Sequence, residues 1–199
     1  VLEAVDGRSF GQFVQEEICW PLDIRDLFIG LPAERINSAA RLSHDLGAAI
    51  VGAAFDPTEM ANHPGIRATC MPAANMMASA RAIARVYASL VGDGVDGVRL
   101  LTPRRVEIAT KVQRWAHDHT LETEGGFGLG FFLGSSLPAM GVRDTTFGHD
   151  GFGGAIGFAD PEHDLAFAMT KTRMTLTPNA PIFNAELASI VRTHLNIPA

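Results

Sequence analysis

Apolar positions follow a helical period over the first part of the chain and a strand-like alternation from Gly125 onward. Ser9 as N-cap, with Gln12 three residues later, marks a helix start, and Phe10, Phe13, Val14 and Ile18 share one face until Pro21 ends the element. Leu27 to Leu31 reads as a short strand closed by Pro32. Asp45 to Ala54 is apolar and interrupted by glycine, and neither period assigns it. Residues 56–77 carry Pro57, Pro64, Gly65 and Pro72 without a sustained period, which predicts a long irregular excursion. Ser79 caps a second helix with Ile83, Ala84, Tyr87, Leu90 and Val91 on one stripe, stopped by Gly92, Asp93 and Gly94. Thr102 and Pro103 open a third, expected to run to about Ala116 with Glu107 and Lys111 paired four apart.

Beyond Gly125 the strand signals are Phe127 to Leu133, Thr145 to His149, Ala155 to Ala159 and Leu165 to Thr170. Asp160, Pro161 and Glu162 between the last two predict a hairpin. Pro181 then opens a closing helix whose Phe183, Leu187, Ile190, Val191 and His194 form an apolar face. Helices, then antiparallel strands, then a covering helix imply an α+β fold.

Composition narrows the function. The 199 residues, 47% of them hydrophobic, suffice for one substantial core. A net charge of -6 without a basic cluster argues against nucleic acid as a partner. No apolar run approaches the roughly 18 residues a membrane-spanning helix needs, so no membrane partner is expected. Cys19 and Cys70 are far apart and outside any CxxC spacing, which reads as two reduced, buried thiols and leans towards a cytoplasmic location. At the amino end, Val1, Leu2, Ala4 and Val5 run straight into Asp6, Gly7 and Arg8 with no leader, as though the chain starts inside an element.

Candidate chemistry concentrates in residues 148–169. His149 and Asp150 stand beside glycines 151, 153 and 154, which bring main chain close to a ligand and expose N–H groups to an anion. A tight bend or bulge gives the same pattern. With Phe147 and Gly148 before it and the Asp160–Pro161 turn after it, the stretch resembles the third motif, KTG or HxG, of the serine β-lactamase-like family, which includes class C β-lactamases, carboxylesterases and penicillin-binding-protein-like hydrolases. His149, Asp150 and Gly151 fall on its three positions. Similar to that family as well are Gly7, Arg8, Ser9 and Phe10 leading to Pro21 and Leu22, the Ile29, Gly30, Leu31, Pro32 strand end, and the Ser79 helix. So are the Leu100, Leu101, Thr102, Pro103 helix entry and the Phe127, Gly128, Leu129, Gly130 stretch.

The resemblance implies a partial β-lactamase-like fold: residues 1–199 as the carboxy-terminal part of one domain, mainly helical with loops over 1–120, antiparallel strands and a closing helix over 125–199. It implies acyl transfer on a small ester or amide, in which the Ser of an SxxK motif attacks the carbonyl while that Lys and a YxN or YxH tyrosine move the proton. His149, where penicillin-recognising members carry Lys, resembles the esterase branch. It would orient the tyrosine or the acyl carbonyl, and an imidazole titrating near about pH 6.5 would make activity pH-dependent. The N–H of Phe152 would be one of two oxyanion donors. No cofactor or metal is implied.

The sequence departs from the family pattern at the nucleophile. Its two lysines, Lys111 and Lys171, are preceded three residues earlier by Ile108 and Ala168, so SxxK is absent. The single tyrosine, Tyr87, lies mid-helix with Ser89 two residues on and does not match the tyrosine motif. Both motifs are expected upstream of Val1, which leaves His149, Asp150, Gly151 and Phe152 in supporting roles. The expected partners are then an upstream fragment of the same protein, or a second copy through self-association.

Other readings stay open. The parent activity is either ester hydrolysis or β-lactam cleavage, or the chain is a non-catalytic interaction domain. Neighbouring His and Asp at 44 and 45, 117 and 118, 149 and 150, and 163 and 164 raise a metal phosphohydrolase, though they sit in unrelated contexts. His117 and His119 are expected at a solvated helix end, His63 on the surface. Met60, Met71, Met76 and Met77 either line an acyl pocket or fill adaptable core.

Overall fold

The computed structural model describes residues 1–45, 56–119, 123–176 and 183–198. Asp45 is therefore described, while the rest of the unassigned apolar stretch and Pro181 lie outside these residues.

Helix α1 spans Leu2–Asp6 and ends at Gly7. In α2, Phe10–Val14, Ser9 caps as expected by accepting from the Gln12 N–H, and the chain continues as a π-helical turn over Gln15–Cys19. The Gln12 amide donates forward to Glu16 rather than back to Ser9, so the capping box is one-sided. Strand β1, Leu27–Ile29, shorter than expected, pairs with β3, described below. Strand β2, Ser43–His44, follows.

Residues 56–77 hold more regular structure than their prolines suggest. Asp56 caps α3 (Pro57–Asn62), accepting from the N–H groups of Thr58 and Glu59, and His63 caps α4 (Pro64–Ala68) through its ring, accepting from Gly65. Both prolines occupy the first helical position, where a missing N–H costs nothing. Arg67, buried at 7% exposure, ties α4 to α3 by donating to the Ala61 carbonyl and the pair to the preceding loop by donating to the carbonyls of Ile36, Ala39 and Ala40. Strand β3 is Met76–Ala78. Helix α5, Ala80–Ala88, starts where Ser79 accepts from Ala82.

Helix α6 covers Pro103–Thr110, shorter than expected. Lys111 leaves the helix with extended geometry, and Glu107 pairs with Arg104. Residues expected to continue it form β4 (Arg114–Asp118), hydrogen-bonded to β5 (Thr123–Phe127). His117 is thus on a strand, with the His119 ring edge-on at 4.9 Å, not at a helix end. The expected Phe127 to Leu133 strand is broken, since β5 ends at Phe127 and β6 is only Phe132–Leu133. Strands β7 (Phe147–Asp150), β8 (Ile156–Asp160) and β9 (Leu165–Met169) complete a six-stranded antiparallel meander in sequence order. The β8–β9 hairpin turns where expected. A short β10, Arg173–Met174, pairs in parallel with β2, and α7 is Phe183–His194.

Helices cover both faces of this meander, which is why all five residues of β8 are buried. On one side Ile156, Phe158, Phe167 and Met169 pack with Ala139, Met140 and Ala188 of α7. On the other, Phe147, Leu133 and Ala159 pack with Leu90, Val91 and Tyr87. Arg192 enters the first layer at 4% exposure because its guanidinium donates to the carbonyls of Ala139 (2.9 Å) and Met140 (2.6 Å) and lies 5.0 Å from the Phe158 ring centre. A third cluster, Val14, Cys19, Leu22, Ile24, Leu27 and Ala82, forms the core of the helical part. Of the thiols only Cys19 is buried; Cys70, two residues beyond the end of α4, is exposed, contrary to expectation.

Candidate active site

Strand β7 carries the candidate residues out of the core. Phe147 and Gly148 are buried, whereas His149 and Asp150 are exposed at the strand's end. Pairing with β8 stops at Asp150 opposite Ile156, and the Gly151 N–H closes the ladder by donating to the Ala155 carbonyl at 2.7 Å. Residues 151–154 make a turn in which the Gly154 N–H donates to the Gly151 carbonyl at 2.9 Å. Its third residue, Gly153, has φ 93°, the positive value a type II turn requires at that place. Phe152, the second residue, is 77% exposed, and its N–H makes no hydrogen bond among the described residues.

The His149 ring is held. Its Nδ1 lies 2.6 Å from the Asp150 carbonyl oxygen, which can only accept, so the contact is a hydrogen bond when Nδ1 carries the proton. In the neutral ring Nε2 is then the acceptor. The ring also meets Phe132 edge-on at 4.9 Å. The Asp150 carboxyl is raised from its ordinary value, chiefly by desolvation, while attraction to His149 and its own main-chain N–H pull the other way.

Bracing comes from a part of the sequence with no local signal. The Thr175 N–H donates to the Gly153 carbonyl at 3.0 Å, and the Met174 side chain lies directly on Gly153. The Lys171 ammonium donates to the Thr175 hydroxyl and lies beside Gly154. This segment is tied back to β2: the Ser43 N–H donates to Thr172, the Asp45 N–H to Met174, and the Leu176 N–H to the Asp45 carboxylate at 2.7 Å. The glycine-rich turn thus rests on contacts more than a hundred residues apart in sequence.

The structure brings His149, Asp150, Gly151 and Phe152 together and leaves the other candidates apart. The four His–Asp neighbours lie on β2, on β4, on β7 and in the β8–β9 turn, and no cluster of three or more potential metal ligands occurs among the described residues. Asp160, 0% exposed, holds its turn by accepting from the Glu162 N–H, with the His163 ring 3.1 Å away. Met60 and Met76 are exposed, on α3 and β3, and neither belongs to a core cluster. Ser89 is fully buried and donates to the Val86 carbonyl, so it cannot serve as the partner of a tyrosine motif.

A six-stranded antiparallel meander packed between α5 and α7 is the fold of serine-type β-lactamase-like hydrolases. The family model described as Beta-lactamase matches residues 1–191, and the chain belongs to that family of serine hydrolases, which includes esterases. Among curated proteins it is similar to "Esterase/beta-lactamase LipL" of Mycobacterium tuberculosis, with 31% identity over 199 positions, covering 86% of this chain and 44% of that protein. Among solved structures it is similar to a penicillin-binding protein homolog from Caulobacter crescentus (29% identity, TM-score 0.75, 95% of this chain and 54% of that one). A family VIII carboxylesterase gives 26% identity and a TM-score of 0.78 over 94% of this chain and 54% of its own. The fold is shared also with EstA from Arthrobacter nitroguajacolicus Rue61a, at 23% identity and TM-score 0.80, covering 98% of this chain and 56% of that one. The chain spans about half the length of these relatives. Among the described residues no helix is long and apolar enough to cross a membrane.

Proposed function

We propose that the natural gene product is a carboxylesterase working through an acyl-enzyme, and that this chain supplies its oxyanion turn and motif imidazole. The observation that carries the reading is the exposed His149 at the first motif position, followed by a turn whose Phe152 N–H has no hydrogen-bond partner among the described residues. A serine oxygen attacks the ester carbonyl carbon, and the carbonyl electrons move onto oxygen, where the Phe152 N–H donates. Collapse expels the alcohol, which takes up a proton, and water then releases the carboxylic acid and restores the serine. His149 sits beside this point with Nε2 able to accept, suited to orienting a hydroxyl.

Neither lysine follows a serine by three residues, so we assign the nucleophile and its proton carriers to sequence outside Val1–Ala199. That assignment needs a covering partner, an upstream segment of the same polypeptide or a second copy. It is supported by β4 and β9, the two edges of the meander, to which no further strand is paired among the described residues. β-Lactam cleavage is the second reading, favoured by the name of the Mycobacterium tuberculosis relative. The natural gene product should turn over p-nitrophenyl esters and leave a chromogenic cephalosporin intact. Turnover of the cephalosporin alone would reverse the assignment, and inertness to both would leave an interaction domain.

A further inference from the structure

Phe152 has no main-chain hydrogen bond of its own among the described residues, so its N–H goes where the rest of the turn is put. The other three residues of the turn are fixed. The Gly151 N–H donates to Ala155, the Gly154 N–H donates to Gly151, and the Gly153 carbonyl accepts from the Thr175 N–H at 3.0 Å. Among the described residues, that of Thr175 is the only hydrogen bond reaching the turn from outside the β7–β8 hairpin. Thr175 is held in its turn by Lys171, whose ammonium donates to its hydroxyl. Lys171 stands two residues beyond Met169, which ends β9, pairs with Ile156 and packs in the core. Its stem passes the open face of Gly154: Nζ and Cδ lie 3.4 and 3.5 Å from where a Cβ would stand. The side chain is half-buried, and its ammonium makes no other hydrogen bond or ion pair among the described residues. Fixing a lysine side chain costs rotamer freedom comparable to what a single hydrogen bond to a hydroxyl returns, so the contact adds little to stability. What it adds is a fixed place for Thr175.

We infer that Lys171 is a positioning residue for the Phe152 donor. Its ammonium sets the place of Thr175, the Thr175 N–H sets the Gly153 carbonyl, and Gly153 and Gly151 together hold Phe152 from its two sides. The relay ties the donor to the end of a core strand over residues 171–175, and Lys171 acts without touching substrate. The inference rests on the oxyanion role proposed for Phe152, and its magnitude follows from that role. Losing such a donor outright costs about 100- to 1,000-fold in rate, and displacing it costs less, about tenfold.

The test uses Lys171→Met, which keeps a stem and removes the ammonium, and Thr175→Val, which removes the hydroxyl and keeps the main-chain N–H. Thr175→Ser, which keeps both, is the conservative control. In the natural gene product, Lys171→Met and Thr175→Val should each lower kcat on a p-nitrophenyl ester about tenfold with KM unchanged, and the double variant should lose no more than either. The urea midpoint should stay at the wild-type value, and Thr175→Ser should keep wild-type kcat. In a proton–nitrogen correlation spectrum the Phe152 amide should move in Lys171→Met and Thr175→Val and stay in place in Thr175→Ser. Full kcat in Lys171→Met, losses that multiply in the double variant, or an unmoved Phe152 amide would overturn the inference. A kcat loss matched by a lowered urea midpoint would do the same, since it would mark a purely structural contact. If the wild-type protein turns over no ester, the proposed function fails, and the Phe152 amide shift still decides whether Lys171 places the turn.

Discussion

Replacing Gly153 by Ala perturbs the candidate donor turn at its most constrained point. The residue has φ 93°, and a Cβ there would lie 2.8 Å from Met174 Cβ and Cε and 2.9 Å from Cγ. Two costs follow. A Cβ in left-handed backbone costs about 1–2 kcal/mol. Overlap with a side chain that is itself only 8% exposed adds about 1–3 kcal/mol, because Met174 Cε can swing away and its Cβ cannot. The expected loss in urea-unfolding free energy is about 2–5 kcal/mol. A double-mutant cycle with Met174→Gly separates the two, since removing the whole methionine side chain, Cβ included, relieves the overlap and leaves the backbone conflict, giving a coupling of about 1–3 kcal/mol. A loss below about 1 kcal/mol, or additive single and double variants, would refute the view that Met174 seats the turn through Gly153.

Arg192→Met should cost about 2–5 kcal/mol in the same assay, since it strips donors from the buried Ala139 and Met140 carbonyls and a counter-charge from buried Asp160; unchanged stability would contradict that account. Tyr87 is neutral in the fold to about pH 12 and ionises near 10 when exposed, so unfolding takes the proton away over that window and stability should fall as pH rises from 10 to 12. Near-ultraviolet phenolate absorbance followed alongside unfolding checks this, and ionisation near pH 10 without unfolding would contradict it. Burial pushes the Cys19 thiol up to about 11 while Cys70 is exposed, so a colorimetric thiol reagent at neutral pH should find one reactive thiol in the folded chain and two in denaturant; two at once in the folded chain would be inconsistent with the core.

Much of the meander was legible because its signals are local. Alternation and the Asp160–Pro161 turn mark β8 and β9, and Ser79 marks the start of α5. Prolines misled where they start helices: Asp56–Pro57 and His63–Pro64 are cap and first-turn pairs, and reading them as breakers turned two helices into a loop. Strand β4 has too little local character to be separated from α6, and its pairing with β5 decides the matter. The candidate residues His149 to Phe152 were visible through their motif. Their support was not. The Lys171–Thr175 brace, the two-residue pairing of β10 with β2 and the fit of Tyr87 on Gly157 depend on contacts across distant sequence, for which neither period nor turn chemistry gives a sign.

The central claim is that the His149–Phe152 turn serves a serine acyl-enzyme site. Intact-mass spectrometry of the natural gene product before and after a fluorophosphonate probe, followed by peptide mapping, tests it most directly. The account predicts a single adduct on a serine followed three residues later by lysine, outside Val1–Ala199, and its loss on competition with an ester substrate. An adduct on a serine within these residues, or no adduct on an active preparation, would contradict it.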